Sequence, residues 1–135
     1  MTQVIEKKKA LGKRECARIY KEAHQAGLEA GKAVKTKPYL VGTAVGLSDE
    51  IDYSKKTYVL DDLCGFAYVE ISPARGAFVT YLKNHKIGYK GYYGGYQVSV
   101  HEFGQSITRK EAYARAFAQV LKQYGINASY SSRLD

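Results

Sequence analysis

The chain has 135 residues, 45% hydrophobic and 25% charged, with two prolines and two cysteines. That balance gives one domain with a real core and excludes a disordered chain, a disulfide framework and a helical membrane span. The net charge of +8 favours anionic partners by long-range attraction and says nothing about fold.

The charge is uneven along the chain. Met1 to Lys37 holds ten Lys or Arg against four Glu, while the rest holds eleven basic residues against nine acidic ones. Residues 1–12 read as a basic N-terminal arm, or as an extra helical turn, and 13–135 as a single α+β domain. The opening "MTQVIEKKKALGKRE" lacks the apolar run of a secretion signal. Cys16 and Cys64 belong to no C-x-x-C pair and fit a reducing cytoplasm.

Lys13 to Val34 reads as a helix, with Ala17, Ile19, Tyr20, Ala23, Ala26, Ala30 and Val34 recurring at three and four. Ala23, Gly27 and Gly31 add a stripe of small residues suited to close approach of another element. A second copy of the chain is one candidate, so a homo-oligomer is an expectation. The segments "PYLVGTAVG" and "TYVL" read as short strands around a polar link. "CGFAYVEIS" has the aromatic and β-branched content of a strand covered in part on both faces.

"SPARGAFVTYLKNHKIG" predicts a helix with Ser72 as N-cap, Pro73 at the first helical position and Gly88 as its stop. Tyr96, Val98 and Val100 alternate with Gln97, Ser99 and His101, as in a half-buried strand. "SITRKEAYARAFAQVLKQYGI" predicts the last helix. Thr108 and Glu111 stand as a capping box, and Gly125 as a left-handed cap. "INASYSS" closes the domain as a short strand. The expected architecture is an N-terminal helix and a small mixed β-sheet with two helices packed on one face, a β-α-β-α core.

Two features carry functional expectations. Tyr81, Tyr89, Tyr92, Tyr93 and Tyr96 crowd together near Lys86 and Lys90. Aromatic rings beside cations stack nucleic-acid bases, and tyrosine also serves a half-wet core through its ring and hydroxyl. Both readings stay open at this level, with Tyr92 and Tyr93 the freest to meet a ligand. The second feature is the entry to the last helix, where Ser106, Thr108, Arg109 and Lys110 surround a site of unpaired N–H groups that favours an anion. Cations there oppose the helix dipole, so a bound phosphate or carboxylate accounts for them, as does simple solvation. Arg75 sits at the preceding helix start in a weaker version of the same pattern. If the flanking strands were parallel, both helix starts would lie at one end of the sheet.

"RGAFVTY", Arg75 to Tyr81, imitates an RNA-recognition strand signature. Its Phe78 and Tyr81 are spaced three apart, which is helical spacing, and the match is rejected. His24, His85 and His101 show no ligand spacing, and no phosphate-binding glycine loop is present. No pattern points to catalysis, a metal or a cofactor.

The run "CGFAYV… YYGGY… FGQSITRKEAYARAFAQVL… SSRLD" resembles a set of small uncharacterised proteins of tailed bacteriophages and prophages. The likeness covers slightly more than half of the chain. It implies a viral accessory role in the cytoplasm of a bacterial host, with no defined mechanism. Such accessory proteins act by binding nucleic acid, a host protein or a nucleotide messenger of host defence. The resulting expectation is non-catalytic capture of an anionic ligand. Arg75, Arg109 and Lys110 would contact phosphate, Ser106 and Thr108 would assist, and Tyr92, Tyr93 or Tyr96 would stack. The competing expectation is a protein-interaction module that redirects a host protein through a tyrosine-rich surface.

Overall fold

Alternation along "GFAYVEI" organises the molecule. Gly65, Ala67, Val69 and Ile71 are buried, while Phe66, Tyr68 and Glu70 turn to the other side, as the two-residue period of a strand requires. The computed structural model describes residues 11–36, 39–41, 50, 54–55, 58–60, 62–91 and 94–135.

The described elements are α1 (Lys13–Ala33), β1 (Tyr39–Val41), β2 (Tyr58–Leu60), β3 (Gly65–Ile71), α2 (Ala77–Asn84), β4 (Tyr89–Lys90), β5 (Tyr96–Ser99), α3 (Ile107–Gln123) and β6 (Ala128–Leu134). The fold is α+β. β1 and β2 form their own antiparallel pair. The main sheet has the order β4-β5-β3-β6 and is antiparallel at every pairing. From β3 to β6 the chain therefore runs β-α-β-β-α-β in the split β-α-β manner, and topology of this kind does not by itself fix a function.

The inner face of the sheet carries Ala67, Val69, Ile71, Tyr96, Val98 and Ala128 into one core. α3 covers that face with Tyr113, Ala114, Phe117, Ala118, Val120 and Leu121, and α2 adds Phe78, Val79 and Leu82. α1 packs on α3 and α2, burying Cys16, Ile19, Ala23, Gly27 and Gly31. Among the described residues, no helix is long and apolar enough to cross a membrane.

The small-residue stripe of α1 is used within the chain. A Cβ on Gly27 would stand 2.6 Å from the Tyr113 ring, and one on Gly31 would meet the ring of Phe103. Two aromatic side chains fill the space that the sequence left free for a second copy, so the stripe offers no oligomer surface.

Both later helix starts differ from the sequence reading. α2 begins at Ala77 behind Gly76, whose φ of +112° suits glycine. The Ser72 N–H donates to the Asn127 carbonyl, and the Ser72 carbonyl accepts from Asn127 Nδ2. Ser72 thus continues the β3–β6 pairing by one residue instead of capping a helix, and the Ser72–Pro73 peptide is cis. In α3 the N-cap is Ser106, not Thr108, and its Oγ accepts from the Arg109 N–H. Glu111 does not close a capping box; its carboxylate accepts from Ser132 Oγ on β6.

Antiparallel pairing also separates the two helix starts. β3 and β5 run in opposite directions, so the loop after Ile71 and the loop after Ser99 leave from opposite ends of the sheet. Arg75 is therefore not brought together with Arg109 and Lys110.

Candidate functional site

The start of α3 already holds an anion from its own chain. The Asp62 carboxylate accepts from Ser106 Oγ at 2.6 Å, from the Thr108 N–H at 2.9 Å and from Thr108 Oγ1, while its other oxygen accepts from the Leu63 N–H. Burial opposes ionisation of Asp62. The hydrogen bonds from Ser106, Thr108 and Leu63 outweigh it and hold the carboxyl below the usual range. Ser106 and Thr108 thus face the kind of group expected from the sequence, delivered from 46 and 44 residues away along the chain by Asp62 rather than by an external ligand.

The two cations that follow part company. Arg109 Nε is buried without a hydrogen-bond partner among the described residues. Lys110 is only 8% exposed, and its ammonium stands 5.8 Å from the centroid of the Phe66 ring. The Arg133 guanidinium, opposite Phe66 in the β3–β6 register, lies 5.2 Å from the same centroid. Both distances are within cation–π range. Phe66 nevertheless stays 39% exposed, a large ring left on the surface with two positive charges against it.

Phe66 belongs to the outer face of the main sheet, opposite the helices. Register places Tyr68 beside Ser99 and Ser131, and Glu70 beside Gln97 and Ser129. Tyr89 of β4 lies opposite Gln97, is 49% exposed and shares a hydrogen bond with Ser99 at 3.4 Å. Ser131 Oγ donates to the Glu70 carboxylate at 2.9 Å. Across this face the structure sets three aromatic rings among short polar side chains, with cations at the Phe66 end and one carboxylate in the middle. On the helix side of β6, Arg115 of α3 donates to Tyr130 Oη and lies over that ring at 5.5 Å.

The tyrosine-rich segment divides. Tyr96 is a correction: it is 3% exposed, its hydroxyl donates to the Ile87 carbonyl and Lys83 approaches its ring. The inward side of β5 takes it into the core, so no ring face is left for a base. Tyr92 and Tyr93 lie outside the described residues. Arg75 to Tyr81 spans a loop and the first turns of α2, so the rejected RNA-recognition signature is indeed not a strand.

Phe66 and Arg133 were missed as site residues. A signal for Phe66 existed, since Phe66, Tyr68 and Glu70 alternate with Ala67, Val69 and Ile71. Reading both faces of that strand as covered in part hid it. Nothing local could have placed Arg133, whose position follows from strand pairing. Elsewhere, Tyr20, His24, Tyr113 and Glu102 form a polar cluster between α1 and α3, with His24 Nδ1 and Tyr113 Oη 2.5 Å apart. Among the described residues no three His, Cys, Asp or Glu side chains gather to hold a metal ion. Comparison with protein-family models, with curated proteins and with solved structures finds no match to this chain.

Proposed function

We propose that the protein binds an anionic ligand with an aromatic component, nucleic acid or a nucleotide, without catalysis. The observation that carries this reading is the exposed Phe66 ring on the face of the sheet that no described helix covers, with Arg133 opposite it in register and the Lys110 ammonium of α3 5.8 Å from its centroid. A base stacked on such a ring contributes roughly 1–3 kcal/mol, and the neighbouring cations supply the attraction for phosphate that the chain's +8 charge extends to long range. The start of α3 contributes through Lys110, while Ser106 and Thr108 serve Asp62. An accessory role in a phage-infected bacterium, the setting of the resemblance, forms part of the proposal.

The protein-interaction reading is favoured by a different observation. Leu63 and Leu134 are exposed near the same end of β3 and β6, Leu134 by 60%, and Tyr130 is exposed four residues further along β6; exposed apolar groups of this kind suit a protein interface. Salt separates the two. Binding of a labelled oligonucleotide or nucleotide should weaken steeply with added salt, and Phe66→Ala with Arg133→Ala should lower affinity at least tenfold. Affinity unchanged in that double variant would remove the anion-binding reading.

A further inference from the structure

We infer that the ligand of the outer sheet face is a single strand of nucleic acid crossing from Phe66 on β3 to Tyr89 on β4, and neither a duplex nor a free nucleotide. This rests on the anion-binding reading and narrows its ligand. Phe66 and Tyr68 are two residues apart on one strand face, which sets their backbones about 7 Å apart. Tyr89 lies two strand spacings across the sheet from β3 and level with Glu70, so its Cα is about 17 Å from that of Phe66 on standard sheet dimensions. One base cannot reach both outer rings, whereas successive splayed bases of one strand can.

A duplex fails for a related reason. Its bases stack on one another at about 3.4 Å along each strand, which hides their faces from rings spaced at twice that distance. Only an unpaired strand offers base faces to Phe66, Tyr68 and Tyr89 together.

Charge agrees with such a path. Arg133 and Lys110 stand at the Phe66 end, whereas Lys90, registered opposite the buried Tyr96, belongs to the other side of the sheet from Tyr89. Between Phe66 and Tyr89 lie Gln97, Ser99, Ser131 and the carboxylate of Glu70. A phosphate is repelled at Glu70, while the amino group of a base is accepted there. Phosphates therefore gather at the cationic Phe66 end, and base edges meet the polar middle on the way to Tyr89.

The test is fluorescence anisotropy with three labelled probes, each as DNA and as RNA: a mixed-sequence single strand, its duplex and a mononucleotide. The single strand should bind at least tenfold more tightly than the other two. Tyr89→Ala should weaken the single strand about tenfold and leave the mononucleotide unchanged, while Phe66→Ala weakens both. Circular dichroism on each variant checks that the fold is kept; if Tyr89→Ala disturbs it, Tyr89→Ser takes its place. Duplex or mononucleotide binding as tight as the single strand, or a neutral change at Tyr89, overturns this inference and leaves the broader reading standing. Absence of binding to every probe, or a neutral Phe66→Ala, overturns both.

Discussion

The Asp62 carboxylate accepts the Thr108 N–H at 2.9 Å, tying the segment before β3 to the first turn of α3 across 46 residues. Ser106 Oγ donates to the same oxygen, so one side chain from a distant loop completes the cap of the longest helix in the sheet-forming half. The dipole and the unpaired N–H groups at a helix start favour such a charge.

Replacing Asp62 with Asn should therefore destabilise the protein. Hydrogen bonds to a charged acceptor contribute about 1.5–3 kcal/mol each at most, and Asn keeps part of the geometry, so a loss of about 1–2 kcal/mol is expected in chemical denaturation. The sign with pH follows from the lowered carboxyl pKa. The stabilisation is complete above the unfolded-chain value near 3.9 and disappears as pH falls through the lower folded value. The gap between wild type and Asp62→Asn should stay constant from pH 7 to pH 5 and close only in stronger acid. A gap that closes nearer neutrality would assign the effect to another group.

Gly27→Ala offers a contest between helix propensity and packing. Propensity alone predicts a gain of about 1 kcal/mol. The added methyl would lie 2.6 Å from the ring of Tyr113, which is buried to 3% exposure and cannot swing away freely. Overpacking of this kind costs about 1–3 kcal/mol, so the variant should melt at a lower temperature than wild type. A rise in Tm would mean that α1 and α3 are less closely packed than the geometry requires.

Tyr113 also gives a prediction at high pH. Burial, followed by the nearby Glu102 and Tyr20, pushes its hydroxyl far above the ordinary tyrosine range. Its folded form stays protonated, so its stabilisation is full below the unfolded value near 10 and diminishes as pH rises beyond that. Tyr113→Phe removes the shared hydrogen bond with His24 and should cost about 1 kcal/mol at neutral pH. In an alkaline titration followed by circular dichroism, the variant should lose less stability above pH 10 than wild type does.

Arg133→Ala separates binding from folding. Its side chain is exposed on the outer face and approaches the Phe66 ring, so stability should change by no more than about 0.5 kcal/mol. Oligonucleotide affinity should fall, and the slope of log affinity against log salt should become shallower by about one unit, as expected for one lost phosphate contact. An unchanged slope would show that Arg133 does not meet phosphate.

Much of the fold was legible from local pattern. The three-and-four spacing of Ile19, Ala23 and their neighbours marked α1, the Tyr96-Val98 alternation marked β5, and Gly125 takes the expected positive φ of +81°. The candidate site was legible only in part. Lys110 is legible for its place at a helix start, yet its visible partner is Phe66, and Tyr96, a candidate stacking ring from its sequence, belongs to the core.

Helix and strand periods are properties of the nearest few residues, since backbone geometry alone decides which side chains share a face. On that basis the chain's own order of residues established the α+β class, the long helices and the excess of positive charge. Tertiary structure decided where those charges and rings act. Antiparallel pairing moved Arg75 away from Lys110 and set Arg133 opposite Phe66, and the return of the chain put Asp62 where an external anion was expected. Those outcomes depend on which distant segments bury their apolar faces together, and no local spacing encodes that choice.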